Sequence, residues 1–213
     1  WIDRIEHYDF YLVFCSRTLY YMGVSAQTFM MFYFRDIIQN SQDTQADVSY
    51  LALIGQLSGA VVCLPMGLLS QRVGRKPLIA LSSIVIVGSY IGFMACRDRY
   101  LALTLGAIYG IGNGSYLSVD YALACDVLPD SDQAARYLGI WGVGAFIGTL
   151  LGPLLMGPAL VLFGTPTTTI TTTTVVTTLD DVVVMYEPLG YIVTLIIGSI
   201  CITLNAVVVS FVR

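Results

Sequence analysis

Tyr109, Asn113, Tyr116 and Asp120 follow one another at intervals of four, three and four residues. On an α-helix this spacing lays all four along one face. Together they offer phenol rings for stacking, a carboxamide that both donates and accepts hydrogen bonds, and a carboxylate that takes up and releases a proton. Around them lie Gly106, Gly110, Gly112, Gly114, Ala122 and Leu123, so the polar stripe is set in small and apolar surroundings. An ionisable group inside a membrane helix is expensive and by default faces a cavity or a partner. Hydrogen bonding to a neighbouring helix is the simpler reading. Four aligned polar groups exceed what packing needs, which favours the cavity.

A second stripe lies near the start of the chain, where Arg17, Tyr20 or Tyr21, and Gln27 or Thr28 recur close to helical spacing. Arg17 and Asp120 each sit roughly 10–14 Å in from the same end of their helices at 1.5 Å per residue. The expectation is that they meet as an ion pair or as a shared solute and proton site. The competing reading has Arg17 reaching out to the headgroups along its aliphatic stem. No Ser/His/Asp set, carboxylate dyad or metal-ligand cluster accompanies these residues, and His7 is the only histidine. The chain therefore reads as a non-enzyme with no cofactor. Cys15, Cys63, Cys96, Cys125 and Cys201 form no CxxC pair and lie mostly in or at the ends of apolar runs, as small buried residues do.

The elements that hold the stripes are legible from composition. The chain is 56% hydrophobic and 11% charged, with a mean hydropathy of +0.77. Soluble domains carry about 25% charged residues, so most of this surface must face lipid. A net charge of −4 without a basic patch argues against nucleic acid. A membrane crossing takes about 20 mainly apolar residues. Runs at about 8–34, 48–69, 77–95, 100–127, 134–163 and 189–211 meet this. Pro77 and Pro129 punctuate them, and the first run is too long for the core of a cleavable leader.

Arg72, Arg75 and Lys76 crowd the turn from Gly67 to Pro77, which is too short to be a domain. Positive charge in short loops collects on the cytoplasmic side. With alternating loops, Arg4, Arg136 and Arg213 share that side, against Arg35, Arg97 and Arg99 opposite. Both termini are thus expected in the cytoplasm of a plasma or inner membrane. The 164–188 loop falls outside and is rich in threonine, from Thr165 to Thr178. It reads as a flexible or weakly β-like insertion rather than a glycosylated segment, with Val182 to Val184 as a slack extension of the sixth helix. Gly148, Gly152, Pro153, Gly157 and Pro158 predict a bend in the fifth helix. The G-x-x-x-G spacings at Gly106, Gly110, Gly114 and at Gly144, Gly148, Gly152 predict close helix packing within the chain. The sequon at Asn113 lies inside a helix and is discounted.

The turn G-L-L-S-Q-R-V-G-R-K resembles the loop between the second and third helices of each half of a major facilitator superfamily transporter, roughly G-x-x-x-D-R-x-G-R-[RK]. It matches at Gly67, Arg72, Gly74, Arg75 and Lys76 and departs at Gln71, where the family has Asp. With that anchor gone, Arg72 and Arg75 are expected to lean on Asp126 or Asp130. The stretch from Tyr109 to Pro129, the A-A-R-Y-L-G-I-W from Ala134, and the opening with Phe10, Arg17, Gly23 and F-Y-F-R-D at Phe32 to Asp36 are similar to the C-terminal half of one group within the superfamily. That group is distantly similar to sugar–cation symporters.

The resemblance implies an all-α membrane protein whose six transmembrane helices are helices seven to twelve of a twelve-helix transporter. The first and fourth helices of each half line the central cavity in this family. The implied function is secondary active transport of a small polar, sugar-like solute with a proton or cation, Asp120 being the coupling candidate. Arg17, Tyr20, Tyr21, Gln27, Tyr109, Asn113 and Tyr116 are then the solute-binding residues, and Gly67 to Lys76 with Asp126 a gating loop. The implied partners are the bilayer, the solute, and a missing N-terminal half or second copy that covers the polar face. A transport-inactive half acting as a membrane interaction or scaffold protein is the alternative.

Overall fold

A computed structural model describes residues 2–38, 43–127, 134–170 and 182–212. The helices are α1 (Ile2–Val24), α2 (Met30–Asp36), α3 (Thr44–Val73), α4 (Arg75–Ala95), α5 (Arg99–Asp126), α6 (Ala134–Phe163) and α7 (Pro188–Ser210). Between α1 and α2 the chain narrows to a 3₁₀ turn at Ser25–Phe29, so they form one interrupted rod and not the single helix expected over 8–34. The interruption contains neither Pro nor Gly. Ser25 donates back to the carbonyl of Met22 at 2.6 Å, the kind of side-chain bond that competes with the helical ladder. α6 is helical without a break through Pro153 and Pro158.

Helix starts follow local chemistry. The Asp43 carboxylate accepts from the amides of Gln45 and Ala46 at the head of α3, and Asp98 does the same for Tyr100 and Leu101 at the head of α5. Both satisfy amides that a first helical turn leaves without partners. Pro188 opens α7, where the lost N–H costs nothing. Gly74 joins α3 to α4 at φ +96°, a left-handed value that favours glycine.

The threonine-rich region forms a hairpin. β1 (Pro166–Ile170) pairs antiparallel with β2 (Val182–Tyr186), from Pro166 opposite Tyr186 to Ile170 opposite Val182. This corrects the helical extension expected at Val182 to Val184: three consecutive β-branched residues suit a strand better than a helix. The remaining threonines of that loop, at 171–178, lie outside the described residues.

α3, α4, α6 and α7 are each long and apolar enough to cross a membrane by length and composition. α1 and α5 are not among them, because their aligned polar residues dilute the apolar content. Leu64 on α3 and Leu162 on α6 are each 76% exposed, which suits a lipid-facing surface.

Packing follows a pattern that repeats. α5 lies between α3 and α4, α1 lies between α6 and α7, and α4 meets α7. Taking rods one to three and four to six in turn, each contact of the first set has a counterpart in the second, as inverted three-helix repeats of transporters do. Glycine seams allow two of these contacts. On the α3–α5 seam a Cβ at Gly59 would stand 2.9 Å from the Gly110 carbonyl oxygen. On the α1–α6 seam a Cβ at Gly148 would stand 2.8 Å from the Tyr21 Cβ. The two G-x-x-x-G stretches therefore serve packing within the chain.

Gly59→Leu should strip α3 from α5 and lower stability by about 1–3 kcal/mol or more. Gly139→Ala, where an added Cβ meets nothing within 4 Å, should leave the midpoint unchanged. Thermal unfolding in detergent checks both; equal midpoints would show that the seam is loose.

Candidate functional site

The two polar stripes meet in the middle of the bundle. Arg17 Nη1 on α1 forms an ion pair with Asp120 Oδ2 on α5, so Arg17 does not reach for the headgroups. Asp120 is 1% exposed. The guanidinium carbon lies over the Trp141 ring of α6, 3.4 Å from its centroid. It also lies 4.9 Å from the Tyr21 ring, with Nη2 at 3.4 Å from the Tyr21 hydroxyl. The pair thus exchanges water for a carboxylate, two aromatic faces and one hydroxyl. Cation–π contact gains most where water is excluded.

Tyr116 extends the network across the bundle. Its hydroxyl lies 3.4 Å from Asp120 Oδ1 and 3.3 Å from Asn205 Oδ1 on α7. Its ring stacks on Tyr20 with centroids 3.4 Å apart and planes 5° from parallel. Tyr20 in turn donates to Asn113 Oδ1 at 2.6 Å. Four helices therefore meet around the pair: α1 and α5 through Arg17 and Asp120 themselves, α6 through Trp141 against Arg17, and α7 through Asn205 against Tyr116. Arg17 Nε, Trp141 Nε1 and Asn205 Nδ2 are buried without a hydrogen-bond partner among the described residues.

Tyr20, Tyr116 and Asp120 are buried within the bundle, while Gln27, expected on the same polar face, is exposed. Arg17 and Asp120 neutralise each other within the same six rods.

The expected stripe divides at Asn113. Toward the hairpin end, Tyr109 turns from the ion pair and stacks on Tyr90 of α4 with centroids 5.8 Å apart. There a cavity of about 120 Å³ opens. Gln27, Tyr109 and Asn113 line it together with Gln56 and Tyr90. Gln27 is exposed beside it, on the 3₁₀ turn. Sequence reasoning missed Gln56, Tyr90, Trp141 and Asn205. Gln56 and Asn205 carry a usable signal, each an uncompensated amide in a long apolar run.

The basic turn closes the opposite end. Arg75 pairs with Asp126 at the foot of α5, Nε to Oδ2 at 2.5 Å. Lys76 Nζ donates to the Val212 carbonyl beyond α7. Gly67 sits against α5, where an added Cβ would lie 2.9 Å from Ser118 Oγ. Gln71 and Arg72 are exposed. So Arg75 takes the Asp126 anchor that Gln71 cannot supply, and Asp130 lies outside the described residues.

Carboxylates also tie the far end. Arg99 meets Asp47 at 2.6 Å. Buried Asp36 accepts from the Tyr186 amide at 3.0 Å and the Tyr191 hydroxyl at 2.6 Å, which fastens the hairpin to α2 and α7. Tyr33 donates toward the Phe93 and Cys96 carbonyls.

The Major Facilitator Superfamily profile matches residues 13–204. The chain belongs to the major facilitator superfamily. It is 34% identical over 112 residues to an MFS-type transporter of Mycobacterium tuberculosis, covering 52% of this chain and 16% of that protein. An MFS-type transporter of Aspergillus terreus is 27% identical over 136 residues, 62% of this chain and 24% of that protein. The inner membrane transport protein YajR of Escherichia coli is 33% identical over 103 residues, 46% and 22% respectively. The matched segments thus span about a quarter or less of these relatives' own lengths. The chain thus falls in a family of membrane transport proteins and not of enzymes, and its apolar helices suit a lipid surrounding.

Removing one member of the central pair leaves the other charge buried, which costs about 3–5 kcal/mol. Arg17→Ala and Asp120→Ala should each lower unfolding stability in detergent by that order. The double variant should lose clearly less than the sum. Strict additivity would show that the two side chains do not interact.

Proposed function

We propose that this chain forms one six-helix half of a secondary active transporter that moves a small polar solute by alternating access, with Asp120 as the proton-coupling carboxylate. The Arg17–Asp120 pair carries the reading. α1 and α5 each pack closely on other helices, but their own backbones barely approach each other. The pair, with the Tyr20–Asn113 bond and the Tyr20–Tyr116 stack, is therefore a tie between α1 and α5 made of side chains. When Asp120 takes a proton it stops attracting the guanidinium, and the tie slackens. When the proton leaves, the tie re-forms. Rocking around a midplane site follows from alternating between these two conditions.

The end contacts support the same reading. Arg75 with Asp126, and Lys76 with the Val212 carbonyl, hold the feet of α4, α5 and α7 together. They form a gate that opens as one unit. With the basic turn in the cytoplasm, both termini lie there and the hairpin lies outside, in a plasma or inner membrane. A second six-helix half, or a second copy, faces the cavity that Gln27 and Gln56 border.

Uptake into proteoliposomes holding this chain and a six-helix companion tests the proposal. Asp120→Asn should reduce accumulation driven by an imposed proton gradient by roughly tenfold or more while leaving solute exchange intact. Unchanged gradient-driven accumulation would remove Asp120 from the coupling step. No uptake by the unaltered pair would favour a scaffold role.

A further inference from the structure

The central polar region is two sites rather than one. The charged site holds Arg17 and Asp120 and is closed by Trp141, Tyr21, Tyr116 and Asn205. The Tyr20–Tyr116 stack stands between this pair and the cavity. Asn113, on the cavity side of the stack, lies seven residues before Asp120, or roughly 10 Å along α5. A solute in the cavity therefore meets neither charge.

Among the described residues, every side chain lining the cavity is uncharged. Polar capacity comes from the amides of Gln27, Gln56 and Asn113 and from the phenols of Tyr90 and Tyr109. Asn113 Oδ1 is already engaged by Tyr20, which leaves its amide hydrogens as the group to offer. The rest of the wall is apolar, including Met30, Val48, Leu51 and Phe93. A volume of about 120 Å³ is well beyond the roughly 10–15 Å³ that one water needs. Gln27 and Gln56 are exposed at its rim, Gln27 on the 3₁₀ turn and Gln56 on α3, which is apolar enough for lipid. Unpaired amides facing hydrocarbon are costly.

We infer that this cavity binds an uncharged, amphipathic solute, one apolar ring or chain carrying an edge with an adjacent hydrogen-bond donor and acceptor. The inference rests on the transport reading and sharpens its substrate class. Carboxamide side chains present a donor and an acceptor side by side, and so match a ligand edge of the same kind. A cation or anion would enter a wall with no opposite charge to replace its hydration, which is prohibitive. A sugar, with hydroxyls on most of its edges, would leave several facing Leu51, Val48 and Phe93. Its unpaired hydroxyls would each lose their water bonds. The apolar wall thus narrows the sugar-like expectation to solutes with one bare face.

Benzamide, benzoate, benzamidine and glucose separate these classes. The first three share a ring and differ in charge. Binding to the chain in lipid nanodiscs, read by ligand-observed saturation-transfer NMR, should appear for benzamide. Benzoate and benzamidine should bind at least about a hundredfold more weakly. Gln56→Leu and Gln27→Leu should each weaken benzamide roughly tenfold, and Leu154→Ala on an exposed part of α6 should not change it. Equal binding of either charged ring, tighter binding of glucose, no benzamide binding, or benzamide binding indifferent to both glutamines would each overturn the assignment. Uptake by the same samples, with a companion half present, keeps the two readings apart. Benzamide binding without any uptake would sink transport and leave the pocket assignment standing. Uptake confined to a charged solute and indifferent to both glutamines would do the reverse.

Discussion

A guanidinium and a carboxylate buried together in an apolar bundle set the terms for the rest of this structure. Either charge alone, deep in a medium of low dielectric, would cost several kcal/mol even after relaxation. Their pairing offsets that cost more fully the more of the remaining donors and acceptors are met. Tyr116 serves Asp120, Tyr21 serves Arg17, and the Trp141 ring covers the guanidinium face. Those demands fall on three different helices, so meeting them fixes how α1, α5 and α6 stand relative to one another. A polar cluster of this sort specifies an arrangement more than it adds stability.

The glycine seams are the complementary half of the design. A charged pair short enough to bond requires its helices to be brought near by their neighbours. Gly59 against Gly110 and Gly114 draws α3 onto α5, and Gly148 and Gly152 draw α6 onto α1. Lipid supplies no hydrophobic drive between such helices, so close backbone approach and van der Waals contact carry the association. With α3 and α6 held tightly, α1 and α5 are free to meet chiefly through side chains. A tie made of side chains can be broken by one proton; a tie made of packed backbone cannot.

The two ends of the bundle are fastened differently. At the basic-turn end the contacts are exposed or partly exposed, Arg75 with Asp126 and Lys76 with a backbone carbonyl. Such pairs are individually weak and suit an end that opens. At the hairpin end the acceptors Asp36 and Asp47 are buried, and Asp36 holds two further donors. This difference assigns the more durable joint to the hairpin end.

Much was legible without coordinates. The spacing of Tyr109, Asn113, Tyr116 and Asp120 determines a single helical face, because helix geometry is local. The equal depths of Arg17 and Asp120 follow from counting residues, and apolar runs long enough to cross a bilayer announce themselves by length. What chain-local information lacks is the neighbour across the gap. Trp141 and Asn205 lie on runs with no periodic polar signal, so their places beside the ion pair were decided only by packing. The same holds for the split at Asn113: one stripe became a charged site and an uncharged cavity because Tyr20, arriving from another helix, stacked between them. The hairpin at Val182 and the 3₁₀ turn at Ser25 were likewise settled by competition. There a partner strand or a serine hydroxyl outbid the helical hydrogen bond, and sequence distance carries no record of that outcome.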